Sequence, residues 1–128
     1  MLREGLRGEA RTTVNESNVA AAYGAAVPVF STPNMIGLME SSAINALAGH
    51  LEPGQTTVGT LVNVKHLAAS PIGFSIVARA ELAQVEGRRL VFAVEAYDDL
   101  EKIGEGQHER FLVVEEKFLQ RTRQKKLP

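Results

Sequence analysis

The stretch Thr32-Pro33-Asn34-Met35-Ile36-Gly37-Leu38-Met39-Glu40-Ser41-Ser42-Ala43-Ile44-Asn45-Ala46-Leu47-Ala48-Gly49 decides the fold. It reads as one helix from Pro33 to about Gly49. The Thr32 hydroxyl can accept from a free N–H of the first turn, which suits an N-cap. Pro33 suits the first helical position, where its missing N–H is no loss. Gly49, with Pro53-Gly54 just beyond, supplies the stop. The segment holds no Lys or Arg and is apolar along most of its length. Such a helix is expected to be buried on most of its circumference.

Working outward, the flanks read mainly as strands. Residues 6–14 fit a first strand. Asn15-Glu16-Ser17-Asn18 is a turn or helix-start cluster, and the Ala-rich piece to Tyr23 fits a short helix before Gly24. After Gly54 the chain turns rich in Thr and Val. Gln55 to Ala69, Ile72 to Val85, Leu90 to Tyr97 and Gln107 to Phe118 are predicted strands, with Glu86-Gly87-Arg88 as a hairpin-like turn. Consecutive strands joined by short turns imply an antiparallel sheet. One long apolar helix needs a surface to wrap it, and a curved antiparallel sheet provides one. The expectation is therefore an α+β hot-dog fold, an antiparallel sheet wrapped around one long buried helix. Exposed sheet edges and a thin core lead to an expected homodimer, or a dimer of dimers.

Length and composition bound the rest. The 128 residues fit one domain, 1–128, with 119–128 expected to be a frayed basic tail. Apolar residues make up 45% and charged residues 23%, an ordinary globular balance. A formal charge of −1 gives no reason to expect a nucleic-acid partner. Cysteine is absent, which removes disulfides, thiolate metal sites and cysteine nucleophiles and fits a reducing cytoplasm. No apolar run approaches the roughly 20 residues of a membrane helix, and the first residues lack the apolar core of a signal peptide. A cytoplasmic protein with no membrane association is the expectation.

Four residues stand out chemically. On a wheel of about 100° per residue, Asn34, Ser41 and Asn45 share one side, and Glu40 falls on the other, among Ile36, Ile44 and Leu47. A buried, unpaired carboxylate is rare unless paired or functional, and burial raises its pKa toward that of a general base. Two readings stay open: a functional carboxylate, or one that snorkels to solvent or pairs with an arginine across a dimer. Strand alternation in Val58 to Ala68 puts His66 on the face of Val58, Thr60, Val62 and Val64. An inward imidazole beside an inward carboxylate would be an acid–base pair; a core histidine bonded to a carbonyl is the alternative. Gly59 marks a bulge or a close backbone approach by a ligand. Thr32 is an N-cap, at a helix start whose free N–H groups also suit a thioester carbonyl or oxyanion.

Val29-Phe30-Ser31-Thr32-Pro33 followed by Met35-Ile36-Gly37-Leu38-Met39-Glu40 resembles the active-site helix of the fluoroacetyl-CoA thioesterase family. The likeness continues through Leu51-Glu52-Pro53-Gly54, Val58-Gly59-Thr60, Val64-Lys65-His66, Val85-Glu86-Gly87-Arg88-Arg89 and Gly106-Gln107-His108-Glu109-Arg110. The resemblance implies a catalytic set of Thr32, Glu40 and His66, with Gly59 close to the attacked thioester. Glu40 would attack the carbonyl or activate a water. His66 would handle protons, and Thr32 would position the carboxylate or the substrate oxygen. The implied substrate is an acyl-CoA; coenzyme A is part of it, so no cofactor is expected. The family's fluoroacetyl-specific enzyme has an aromatic-lined lid before this helix. Here Asn15 to Phe30 is compact and Ala-rich, with Tyr23 and Phe30 its aromatics. That departure directs the expectation to a general small or medium acyl-CoA.

Competing functions follow from the same residues. A non-catalytic acyl-CoA binding or sensor module would share the fold without needing a reactive carboxylate. A dehydratase would need an Asp and a His at short spacing on one segment, a pattern not found here. His108-Glu109-Arg110 reads as a structural group near the start of the last strand, with a second polar site or a dimer contact as the alternative. His50 reads as a surface residue. Three scattered histidines without ligand spacing do not support a metal site.

Overall fold

The computed structural model describes residues 2–128. Five strands and one long helix carry the architecture: β1 (Arg7–Thr13), α1 (Thr32–Ala46), β2 (Gln55–His66), β3 (Ser75–Glu86), β4 (Arg89–Tyr97) and β5 (Lys102–Val114). A 3₁₀ turn at Ala20–Tyr23 precedes α1, and a second helix, α2 (Glu115–Arg123), follows β5. The strands form one antiparallel sheet in the order β1-β3-β4-β5-β2. This is the α+β hot-dog architecture expected from the element order, with β1 and β2 at the edges.

The core lies between α1 and one face of the sheet. Met35, Met39, Ala43 and Ala46 of α1 are buried against Ile76, Ala78, Leu82, Phe92, Val94 and Ala96 of β3 and β4. Each large apolar side chain buried this way contributes about 1.5–3 kcal/mol. Small residues bring the elements close. A Cβ on Gly8 of β1 would collide with the backbone of Ser42 and Ala46, so glycine lets the helix lie directly on that strand.

Three local expectations need correction. The helix is buried along one stripe rather than around most of its circumference: Ile44 is 49% exposed, and Glu40 is half-buried. The last strand spans Lys102–Val114, not Gln107 to Phe118. Beyond it the expected frayed tail is helical as far as Arg123. Glu115 and Glu116 stand in the first turn of α2, and Arg121 and Arg123 in its last, where each sign complements the helix dipole.

Strand β2 departs from simple alternation. Its pairing with β5 shifts between Gly59 and Leu61, leaving Thr60 as the extra residue of a bulge. The bulge reverses side-chain parity along the strand. Thr57 and Gly59 face the helix side before it, while Val58 and Thr60 line a groove with Phe111 on the other face. His66 returns to the helix side beyond it. The expectation that Val58, Thr60 and His66 share one face therefore fails for both Val58 and Thr60, whereas the inward aim of His66 is met.

Candidate active site

The start of α1 fixes the first pair of polar groups. Ser31, not Thr32, is the N-cap: its Oγ accepts from the Asn34 N–H at 3.2 Å and lies 2.6 Å from Asn34 Oδ1. The frame is one residue earlier than the sequence suggests, because two hydroxyl residues precede Pro33. The consequence is chemical. Thr32, now inside the first turn, has its hydroxyl free, and Oγ1 lies 2.8 Å from Nδ1 of His66. Burial pulls the His66 pKa below its ordinary value, and the nearby Ala68 backbone opposes it more weakly. The imidazole is thus held neutral at neutral pH. Its Nε2 is buried and has no protein partner. Thr32 and His66 border a cavity of about 350 Å³, whose other walls include Ala20, Val29, Phe30 and Ala68.

Glu40 belongs to a second cluster. Its Oε2 lies 3.4 Å from Arg110 Nη1 and 3.9 Å from His108 Nε2. Of the two readings left open, the pairing one is met in part: Glu40 pairs with an arginine of its own chain, and its side chain keeps 38% exposure. A Cβ built on Gly59 would stand 2.8 Å from Glu40 Oε2. Gly59 therefore serves both a bulge and a close approach, and the group that approaches is the Glu40 carboxylate.

The partners of Glu40 are Arg110 and His108, from the segment that the sequence reads as a structural group with a second polar site as the alternative. Arg110 is 5% exposed. Its Nε donates to Thr57 Oγ1 at 2.8 Å and its Nη2 to the Thr57 carbonyl at 3.0 Å. Burial lowers its pKa while the Glu40 carboxylate raises it; a guanidinium remains charged in either case. His108 lies in the middle of β5 rather than near its start, and is 1% exposed. A signal was present: His108 and Arg110 alternate onto one strand face, opposite Val62 and Gly59.

The structure thus joins Thr32 to His66, and Glu40 to Gly59, but leaves the two pairs apart within one protomer. Eight helical residues separate Thr32 from Glu40, about 12 Å of axis. Seven strand residues separate Gly59 from His66, roughly 20 Å. Both pairs lie against β2, an edge strand with Leu61 44% and Val62 40% exposed.

Comparison with known proteins places this geometry in a family. A family model described as fluoroacetyl-CoA-specific thioesterase matches residues 14–116. A fluoroacetyl-CoA thioesterase from Streptantibioticus cattleyicolor is 47% identical over 97 residues, covering 76% of this chain and 70% of that protein. Among solved structures, a fluoroacetyl-CoA thioesterase superposes with a TM-score of 0.91 at 37% identity, covering 99% of both chains. A thioesterase superfamily member from Thermus thermophilus superposes with a TM-score of 0.90 at 28% identity, over 97% of this chain and 93% of that one.

Proposed function

This chain belongs to the fluoroacetyl-CoA-specific thioesterase family, and from that premise we propose that it cleaves small or medium acyl-CoA thioesters with Thr32, Glu40 and His66. It is an acyl-CoA thioester hydrolase, which sets aside the non-catalytic binding module. The reaction yields a carboxylic acid and free coenzyme A and needs no cofactor. In this proposal the described residues 2–128 form a single hot-dog unit that works in the cytoplasm.

The observation that carries the site assignment is the division of its groups along β2. One end offers a proton-handling histidine without a carboxylate. The other offers a carboxylate against a bare glycine. In a homodimer, two copies can pair their β2 edges antiparallel about a two-fold axis midway between Gly59 and His66. That sets His66 of each copy opposite the partner's Gly59, because antiparallel partners keep a constant sum of positions. Each site then combines Thr32 and His66 of one copy with Glu40 and Gly59 of the other. The exposed Leu61, Val62 and Ile44 are the apolar surface such a dimer would cover.

The chemistry follows from that arrangement. Glu40 either takes a proton from water, whose oxygen attacks the thioester carbonyl, or attacks it directly to give an anhydride that water then opens. In both routes the carbon–sulfur bond breaks and the thiolate leaves. With Thr32 donating to Nδ1, the Nε2–H of His66 faces the departing sulfur, and the proton released by the attacking water passes through Glu40 and His66 to the thiolate, so that the imidazole ends neutral as it began. The small, mostly apolar cavity beside this pair fits a short acyl group or the start of a longer one. Tyr23 is 60% exposed, with its hydroxyl 3.0 Å from Asn34 Oδ1, and Phe30 is buried in the core. Phe30 forms a wall of the cavity and Tyr23 is not among its lining residues, in keeping with a substrate range wider than the fluoroacetyl group.

The test is thiol release from a panel of acyl-CoAs. Glu40→Gln should lower kcat by about 10²–10⁴-fold with an unchanged melting temperature. Unaltered turnover would overturn the assignment.

A further inference from the structure

His108 is a buried histidine that the hydrolysis as described does not use, yet its bonds lead to the reacting carboxylate. Its Nδ1 lies 2.8 Å from the carbonyl oxygen of Leu61, the residue that follows the bulge. A carbonyl can only accept, so Nδ1 carries the hydrogen. Its Nε2 lies 3.2 Å from Arg110 Nη1. A guanidinium can only donate, so Nε2 is the acceptor. The two contacts fix one neutral tautomer and leave no ring nitrogen for a proton shuttle. Phe92 stacks on the ring at 6.3 Å between centroids, which holds its plane. With 1% of its surface exposed, the imidazole cannot reach a substrate.

Arg110 is therefore held at three corners: by the Thr57 hydroxyl, by the Thr57 carbonyl and by His108. The remaining reach of Nη1 goes to Glu40 at 3.4 Å. That contact is long for a charge-assisted bond, and Glu40 is half-exposed, so the carboxylate's direction depends on where the guanidinium is pinned. Arg110 and His108 are the titratable side chains within 4 Å of the Glu40 carboxylate among the described residues.

We propose that His108 is a positioning residue for the hydrolysis: locked between the Leu61 carbonyl and Arg110, it fixes the guanidinium that aims the Glu40 carboxylate past Gly59. This rests on Glu40 being the reacting group. It adds a reason for the bulge in β2, since the shift at Thr60 is what presents the Leu61 carbonyl to the ring.

Two variants separate the two ring nitrogens. His108→Asn keeps a donor for the Leu61 carbonyl and loses the acceptor for Arg110. His108→Gln reaches the Nε2 position with an amide oxygen and keeps that acceptor. Kinetics of thiol release from a short acyl-CoA should show kcat reduced about 10- to 100-fold in the Asn variant, the scale of a misaimed reacting group. KM should stay within about twofold, as for an interaction felt in the transition state. The Gln variant should recover most of kcat, and the acid limb of the wild-type kcat–pH profile should move in the Asn variant and not in the Gln variant. Equal losses in both variants, or wild-type kcat in the Asn variant, would overturn the proposal. Nitrogen-15 NMR of the wild-type protein gives a readout independent of turnover. His108 should show a protonated Nδ1 and a bare Nε2, and an Nε2–H tautomer or an imidazolium would refute the proposal even if Glu40 is shown to be the reacting group.

Discussion

The sheet has two edges, and they are built in opposite ways. Edge strand β1 presents Arg7, Glu9 and Arg11, which pair with each other and with β3: Arg7 to Glu81 at 2.9 Å, Arg79 to Glu9 at 2.8 Å and Arg11 to Glu9 at 3.3 Å. Asn45 of α1 also donates to the Glu9 carbonyl at 2.7 Å. Charge and a covering helix are the usual means of keeping an edge from pairing with another chain. Edge strand β2 has neither over its middle. It exposes Leu61 and Val62, is the longer of the two, and carries Gly59 and His66. One edge is protected against association, and the other is left apolar where the candidate catalytic groups stand. The difference is what the proposed shared site calls for: an open edge where the proposed catalytic groups stand and a protected one where they do not.

The comparison is sharpened by charging each edge in turn. Leu61→Asp on β2 should convert the proposed dimer to a monomer and cut turnover at least about tenfold, since each copy would bury an unpaired carboxylate in the apolar seam; light scattering and thiol release read both. Glu9→Gln on β1 should change neither and leave the melting temperature where it is, because exposed ion pairs contribute little. Loss of activity in the dimer-preserving β1 variant, or full activity in a monomeric β2 variant, would break the comparison.

A smaller effect is expected from Gly59→Ala. The added Cβ would stand 2.8 Å from Glu40 Oε2 and 3.3 Å from Arg110 Nη1, so the carboxylate must swing away. The expected result is a fall in kcat of about tenfold with folding retained, seen by steady-state kinetics and a thermal melt.

The smallest effect is on stability against pH. Burial sets the folded pKa of His66 below the unfolded value of 6.5. Between those two values the unfolded chain binds more protons, so stability rises with pH there. The contribution is complete above pH 6.5 and is lost as pH falls below it. His66→Gln should flatten the urea-denaturation stability profile just below pH 6.5 and leave it unchanged well above.

Much of the fold was legible because its signals are local. Alternation, turn residues and one apolar helix stopped by glycine gave the strands, the hairpin at Glu86-Gly87-Arg88 and the hot-dog order. The misread positions depend on contacts between distant segments. Ser31 and Thr32 are both good caps, and only His66, 34 residues away, shows which hydroxyl is left over. A bulge leaves little trace in composition, so parity was carried wrongly past Thr60. Glu40 stands out on the helical wheel as the one carboxylate of α1, but its partner Arg110 lies on β5, and only the fold brings the two together. The tail was read as frayed because its charges look disordered singly, although their order suits a helix.

Mixing two inactive variants tests the shared site most directly. Glu40→Gln and His66→Gln homodimers should each be nearly inactive. After dissociation and re-association of equal amounts, half the dimers carry both chains. Each such dimer has one site with His66 of the first chain and Glu40 of the second intact, and one site lacking both. Thiol release should then return to about one quarter of the wild-type rate, as expected for an isologous two-fold pair. No recovery after verified exchange would contradict a site built from both copies.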